Sequence, residues 1–130
     1  SFPVSNTWLV DGLSNFINEK VAGVFAYPIP GKDSTIAEKI SGIPNKIKKD
    51  GHLGNTNSII RKDLWEEHKF DEGLIGSEDY EWSLYWEKKG FKVINDPKLH
   101  VYHSHHLGFL GIIKRQLMWK KQKGEINTRY

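Results

Sequence analysis

Two adjacent carboxylates, Glu78 and Asp79, follow a glycine-bearing run that contains Gly73 and Gly76, and they open a segment carrying Tyr80, Trp82, Tyr85 and Trp86. A helix beginning at Ser77, at about 100° per residue, sets Asp79 beside Trp82 and Trp86 and groups Tyr80 with Leu84 on a second apolar strip. An acid against an aromatic wall is partly desolvated, which suits it to general-base work. The same placement has a plainer use, because acids in a first turn offset the helix macrodipole by about 0.3–1 kcal/mol each. These residues alone leave both readings open.

Three further groups have chemistry to offer. His103 and His105, with His106 beside them, point the same way if the chain is extended there, and a neutral imidazole ligates divalent ions well. Glu78 or Asp79 would complete such a site, while a hydrogen-bonding role at a strand end is the simpler use. The Gly54-Asn55 turn offers backbone donors and a side-chain amide where no Cβ blocks a substrate or phosphate. Leu107 to Lys123 combines Lys114, Arg115, Trp119, Lys120, Lys121 and Lys123 with an apolar stripe of Leu110, Ile113 and Leu117. That pattern fits a polyanion or an anionic membrane surface, and equally the solvated back of a core helix.

Those groups must be positioned by a small α/β unit, because helical and extended patterns alternate along the chain. Residues 6–20 read as a helix with Trp8, Leu9, Leu13, Phe16 and Ile17 on one face, and Val21 to Tyr27 as a buried strand. Pro28 and Pro30 stop regular structure, Ser34 caps a short helix to Ile40, and Ser41 to Gly54 reads as a loop. A strand from Gly54 to Ile60, a short helix from Lys62 to His68 and the helix from Ser77 to Gly90 follow. Phe91 to Ile94 is a strand, Asn95-Asp96-Pro97 a turn, and Leu99 to Ser104 a strand with Leu99, Val101 and His103 on one face.

Composition sets the limits. The 130 residues, 38% of them apolar, with five Trp, six Phe and five Tyr, suffice for one domain, or part of one, with a real core. The absence of cysteine removes disulfides and thiolate metal sites. No stretch approaches the ~18–20 apolar residues of a membrane span, and Ser-Phe-Pro-Val-Ser at the start does not read as a signal peptide. A net charge of +3 conceals basic stretches at 46–49 and 114–123 and an acid-rich 63–87; basic patches suggest an anionic partner, while a solvated surface accounts for scattered lysines.

The order of these signals carries more than any one of them. Gly54-Asn55, then Ser58-Ile59-Ile60-Arg61-Lys62, Phe70-Asp71-Glu72, Glu78-Asp79-Tyr80-Glu81-Trp82, Lys89-Gly90-Phe91-Lys92-Val93, Pro97 and Val101-Tyr102-His103 resemble the C-terminal half of family 2 glycosyltransferases. The resemblance implies part of a GT-A fold, a mixed sheet flanked by helices, without the N-terminal nucleotide-binding half. It implies transfer of a sugar, with inversion, from a nucleotide-diphosphate donor to an acceptor hydroxyl. In that family Asp79 corresponds to the general base, Glu78 to its companion, and Gly54, Asn55 and Trp82 to the substrate-lining positions. His103 matches a strand-end histidine that in some members helps bind Mn²⁺ or Mg²⁺. The Asp-x-Asp motif that chiefly holds that metal is absent, as is the Gln-x-x-Arg-Trp motif of processive synthases.

Residues 1–130 are therefore expected to be the acceptor-side, base-bearing portion of a non-processive enzyme building a surface glycan, inactive alone. Its partners would be a nucleotide sugar and a glycan or lipid-linked acceptor, without nucleic acid, in the cytoplasm or at the inner face of the membrane. A homodimer would cover an exposed sheet edge. The rival reading is a basic α/β module that binds polyanions or a membrane through Lys114 to Lys123, and a His-ligated metal protein is a third.

Overall fold

A computed structural model describes residues 1–130. Its centre is strand β2 (Val21–Phe25), every residue of which is buried. It is flanked by β3 (Ser58–Ile60), antiparallel, and β4 (Lys92–Asn95), parallel, in the order β3-β2-β4. The continuous apolar run has the composition of a strand covered on both faces, and both faces are covered. On one, Ala22 and Phe25 meet Leu53, Leu64 of α3 (Lys62–Glu67) and Trp82 and Trp86 of α4 (Glu78–Lys88). On the other, Val24 and Ala26 meet Leu99, with Trp8 of α1 (Trp8–Leu13), Phe16, Ile59 and Ile94 packed around them. A second, two-stranded sheet pairs β1 (Phe2–Pro3) with β5 (Val101–Tyr102). The fold is thus α/β with two sheets flanked by helices.

Several boundaries differ from the sequence reading for local reasons. The helix expected over residues 6–20 ends at Leu13. Ser14 Oγ and Asn15 Nδ2 both donate to the Asp11 carbonyl, at 2.6 and 2.9 Å, and so compete with helical amides. Leu9, Leu13 and Ile17 are consequently exposed, and only Trp8 and Phe16 reach the core. The strand expected from Gly54 begins at Ser58. The strand expected from Leu99 to Ser104 loses its start, because Asp96 accepts from Lys98 N and Pro97–Leu99 forms a 3₁₀ turn. The pairing that remains is two residues long.

The cap of helix α2 (Ile36–Ser41) is Thr35, not Ser34, which instead accepts from Gly31 N. Thr35 Oγ1 accepts from Glu38 N and Glu38 accepts from Thr35 N, each at 3.1 Å, forming a capping box. Glu38 does more than cap. It also receives Ser104 Oγ at 2.5 Å, His105 N at 2.9 Å and Leu107 N at 3.2 Å, so one carboxylate fastens α2 to the segment leading into α5 (Phe109–Asn127). Burial pushes its pKa up, but these hydrogen bonds prevail and hold it at about 2, against an ordinary 4.5.

The linkage has a definite sign. Glu38 binds its proton less readily folded than unfolded, so its stabilisation is complete above pH 4.5 and lost as pH falls towards about 2. Glu38→Gln is expected to lower unfolding free energy at pH 7 by on the order of 1–2 kcal/mol. In urea titrations the gap between variant and parent should close across that acid window.

Candidate active site

The chemistry-bearing residues meet around a cleft of about 440 Å³. Asp79 and Tyr80 reach it from the start of α4, Gly51 to Gly54 from the loop before β3, His103 and His105 from the segment after β5, and Arg115, Trp119 and Lys123 from α5. Asp79, Gly54 and His103, widely separated in the chain, line one cavity, whereas Glu78 and Asn55, also expected at the site, lie beside it and do not line it.

The carboxylates are fixed by the turn opposite. Asn55 N donates to Asp79 Oδ2 at 2.8 Å, and Asn55 Nδ2 donates to Glu78 Oε1 at 3.1 Å. Glu78 Oε2 is buried with no hydrogen-bond partner. Ser77 precedes the helix, but its hydroxyl is buried and unpartnered and does not cap it. Asp79 Oδ1 accepts from Tyr80 N at 2.7 Å instead, satisfying the first-turn amide that a capping serine commonly takes. Asp79 therefore serves the helix start while also lining the cleft.

Burial raises the pKa of Asp79 above the ordinary aspartate value, and the neighbouring Glu78 charge adds to the rise. The amides of Asn55 and Tyr80 and the Lys123 ammonium oppose it. Lys123 lies over the Tyr80 ring at 4.7 Å, where desolvation lowers its own pKa. An acid biased towards protonation with a cation in reserve is an arrangement suited to accepting and releasing a proton.

Trp82 is the main correction. It is wholly buried beneath α4, with its indole N–H donated to the His68 carbonyl at 2.8 Å, and it does not line the cleft. The aromatic walls are Tyr27, Tyr80 and Trp119. Lys48 Nζ lies 4.5 Å from the Tyr27 ring centroid. Trp119 closes over the glycine loop: a Cβ on Gly76, whose φ is +77°, would stand 3.0 Å from the indole nitrogen. Of the two readings of the Leu110, Ile113 and Leu117 stripe, the core-facing one does not hold. These residues are exposed, while Ile112, Trp119 and the buried Ile126 face inwards.

His103 lies beyond β5, in irregular backbone, although its amide still donates to Ile29 O at 3.1 Å. Its Nε2 is 2.9 Å from His105 Nε2. Burial lowers both pKa values, with the amino terminus and Arg115 adding to it for His103, and Arg115 and His103 for His105. Two neutral imidazoles at this separation suit adjacent corners of a metal's coordination shell, since metal–nitrogen bonds run about 2.0–2.1 Å. No group of three or more His, Asp or Glu side chains is arranged to hold a metal, and neither Glu78 nor Asp79 joins the pair. The two imidazoles hydrogen-bond each other through these nitrogens and by themselves are an incomplete donor set for a divalent ion.

No family model, curated protein or solved structure matches this chain.

One supporting residue has no signature in the sequence. Ser83, fully buried in the aromatic helix, accepts the Leu53 amide at 2.8 Å and so ties the loop entering Gly54 to α4. Ser83→Ala would strand that amide in the core, and a loss of about 1–3 kcal/mol is expected in urea unfolding.

Proposed function

We propose that this chain is the acceptor-side, base-bearing portion of an inverting glycosyltransferase with a GT-A-like fold. The observation that carries the reading is the convergence on one cleft of a half-buried Asp79 with a raised pKa and the His103–His105 pair. The sequence resemblance to family 2 glycosyltransferases assigns these positions their roles, and the geometry is compatible with them.

In the proposed reaction the acceptor hydroxyl oxygen attacks the anomeric carbon of the nucleotide sugar from the face opposite the diphosphate. Its proton passes to the Asp79 carboxylate. The bond from the anomeric carbon to the diphosphate oxygen breaks, and the departing nucleoside diphosphate keeps the electron pair. Glu78, held by the Asn55 amide beside the cleft, acts on Asp79 through its charge, and Arg115, beside the imidazoles, adds positive charge near the leaving group. Tyr80 and Trp119 offer flat apolar faces of the kind that sugar rings stack on. A divalent cation bound with help from His103 and His105 would supply Lewis-acid stabilisation of the leaving diphosphate.

The test is sugar transfer by the protein joined to a donor-binding half. Asp79→Asn is expected to lower kcat by about 10²–10⁴-fold with little change in KM. A base works only when deprotonated, so kcat/KM should fall on the acid side with an apparent pKa above the ~3.9 of free aspartate. Unchanged turnover in the variant would remove Asp79 from this role.

A further inference from the structure

Helix α5 has two working faces, and the cleft uses only one. Arg115, Trp119 and Lys123 turn towards the cavity. Leu110, Ile113 and Leu117, spaced at helical intervals on the opposite face, are 76%, 51% and 63% exposed. Lys114, Lys120 and Lys121 lie along or beside that row, none of them in an ion pair. The helix has no acidic residue before Glu125. Beside it, α2 is tied by Glu38 and Thr35 to the residues leading into α5, and it exposes Ile36 and Ile40 one turn apart. No helix of the chain is long and apolar enough to cross a membrane. An apolar row edged by unpaired lysines is the pattern of a helix that lies in the headgroup region of a bilayer.

We propose that the outward face of α5 is a docking surface for an anionic lipid bilayer. Leu110, Ile113 and Leu117 enter the boundary between headgroups and acyl chains, and Lys114, Lys120 and Lys121 meet lipid phosphates. Charge complementarity selects this occupant: a second copy of the chain would bring the same unpaired lysines against each other, with Glu125, one turn beyond Lys121, the sole carboxylate of the helix to offset them. The cleft on the other side of the helix is then held close to the lipid surface. On the transferase reading, this makes a lipid-linked acceptor the substrate class best placed to reach Asp79.

The test is co-sedimentation of the full chain with vesicles of phosphatidylcholine alone and of phosphatidylcholine mixed with phosphatidylglycerol. Binding is expected to the mixed vesicles and to be at least tenfold weaker to the neutral ones. Each Lys→Gln change at 114, 120 or 121 should weaken it about fivefold, which is about 1 kcal/mol per lysine. The triple variant L110S/I113S/L117S should weaken it more than tenfold while its near-ultraviolet circular dichroism matches the parent, since all three residues are already exposed. Equal binding to both vesicle types, binding that survives the apolar triple variant, or a dimer in sedimentation velocity that the triple variant abolishes would each overturn the proposal. Vesicle binding needs no sugar transfer, so its failure and a failure of the transferase reading are read separately.

Discussion

The burial of Trp82 and Trp86 against β2 is the constraint on which the site depends. Both rings are within 2% of complete burial, and together with Phe25, Leu53 and Leu64 they fix α4 on the sheet in both rotation and height. Each large aromatic removes on the order of 200 Å² from water, roughly 5 kcal/mol at about 25 cal/mol per Å². The helix can therefore carry a partly desolvated Asp79 at its start without giving up its seat. The buried Glu81 beneath it is likewise tolerated because His68 Nε2, at 3.1 Å, and the Tyr130 hydroxyl both bond to it.

A second constraint works from the far side of the cleft. Glu38 gathers amides and hydroxyls from Thr35, Ser104, His105 and Leu107, so the histidine segment and the entry to α5 are held by one ion rather than by a strand. The turn at Asn55 then links the loop before β3 to the acids at the start of α4. Asp79, the imidazole pair and the inner face of α5 come from different layers of the fold but share walls of one cavity. Rigid positioning of this kind is what general-base chemistry asks of its supporting residues.

Much of this was legible in the chain, and what was not has physical causes. The buried strand β2, the turn at Gly54 and the helix of acids and tryptophans follow from local pattern, because a run of apolar residues, a glycine and a 3.6-residue period each constrain the backbone directly. Trp82 was misplaced because helical spacing groups it with Asp79 without saying where the core ends along that face. The direction of the Leu110, Ile113 and Leu117 stripe stayed open because α5 is apolar on both sides, and periodicity cannot choose which stripe faces in. The tie made by Ser83 and the bonds from Glu38 to Ser104, His105 and Leu107 were out of reach, since those partners lie 30 or more residues away, whereas the Thr35-x-x-Glu38 spacing does announce the capping box. The shortened α1 shows local side-chain bonds from Ser14 and Asn15 overriding a periodic pattern.

The central claim is that the fold holds Asp79 as a partly desolvated carboxylate in the cleft, ready to take a proton. Carbon-13 NMR titration of its carboxyl group measures this directly in the chain as it stands. A midpoint above the ~3.9 of an unperturbed aspartate, moving higher still when Lys123 is replaced by methionine, is the predicted result. A midpoint at or below that value would contradict the account.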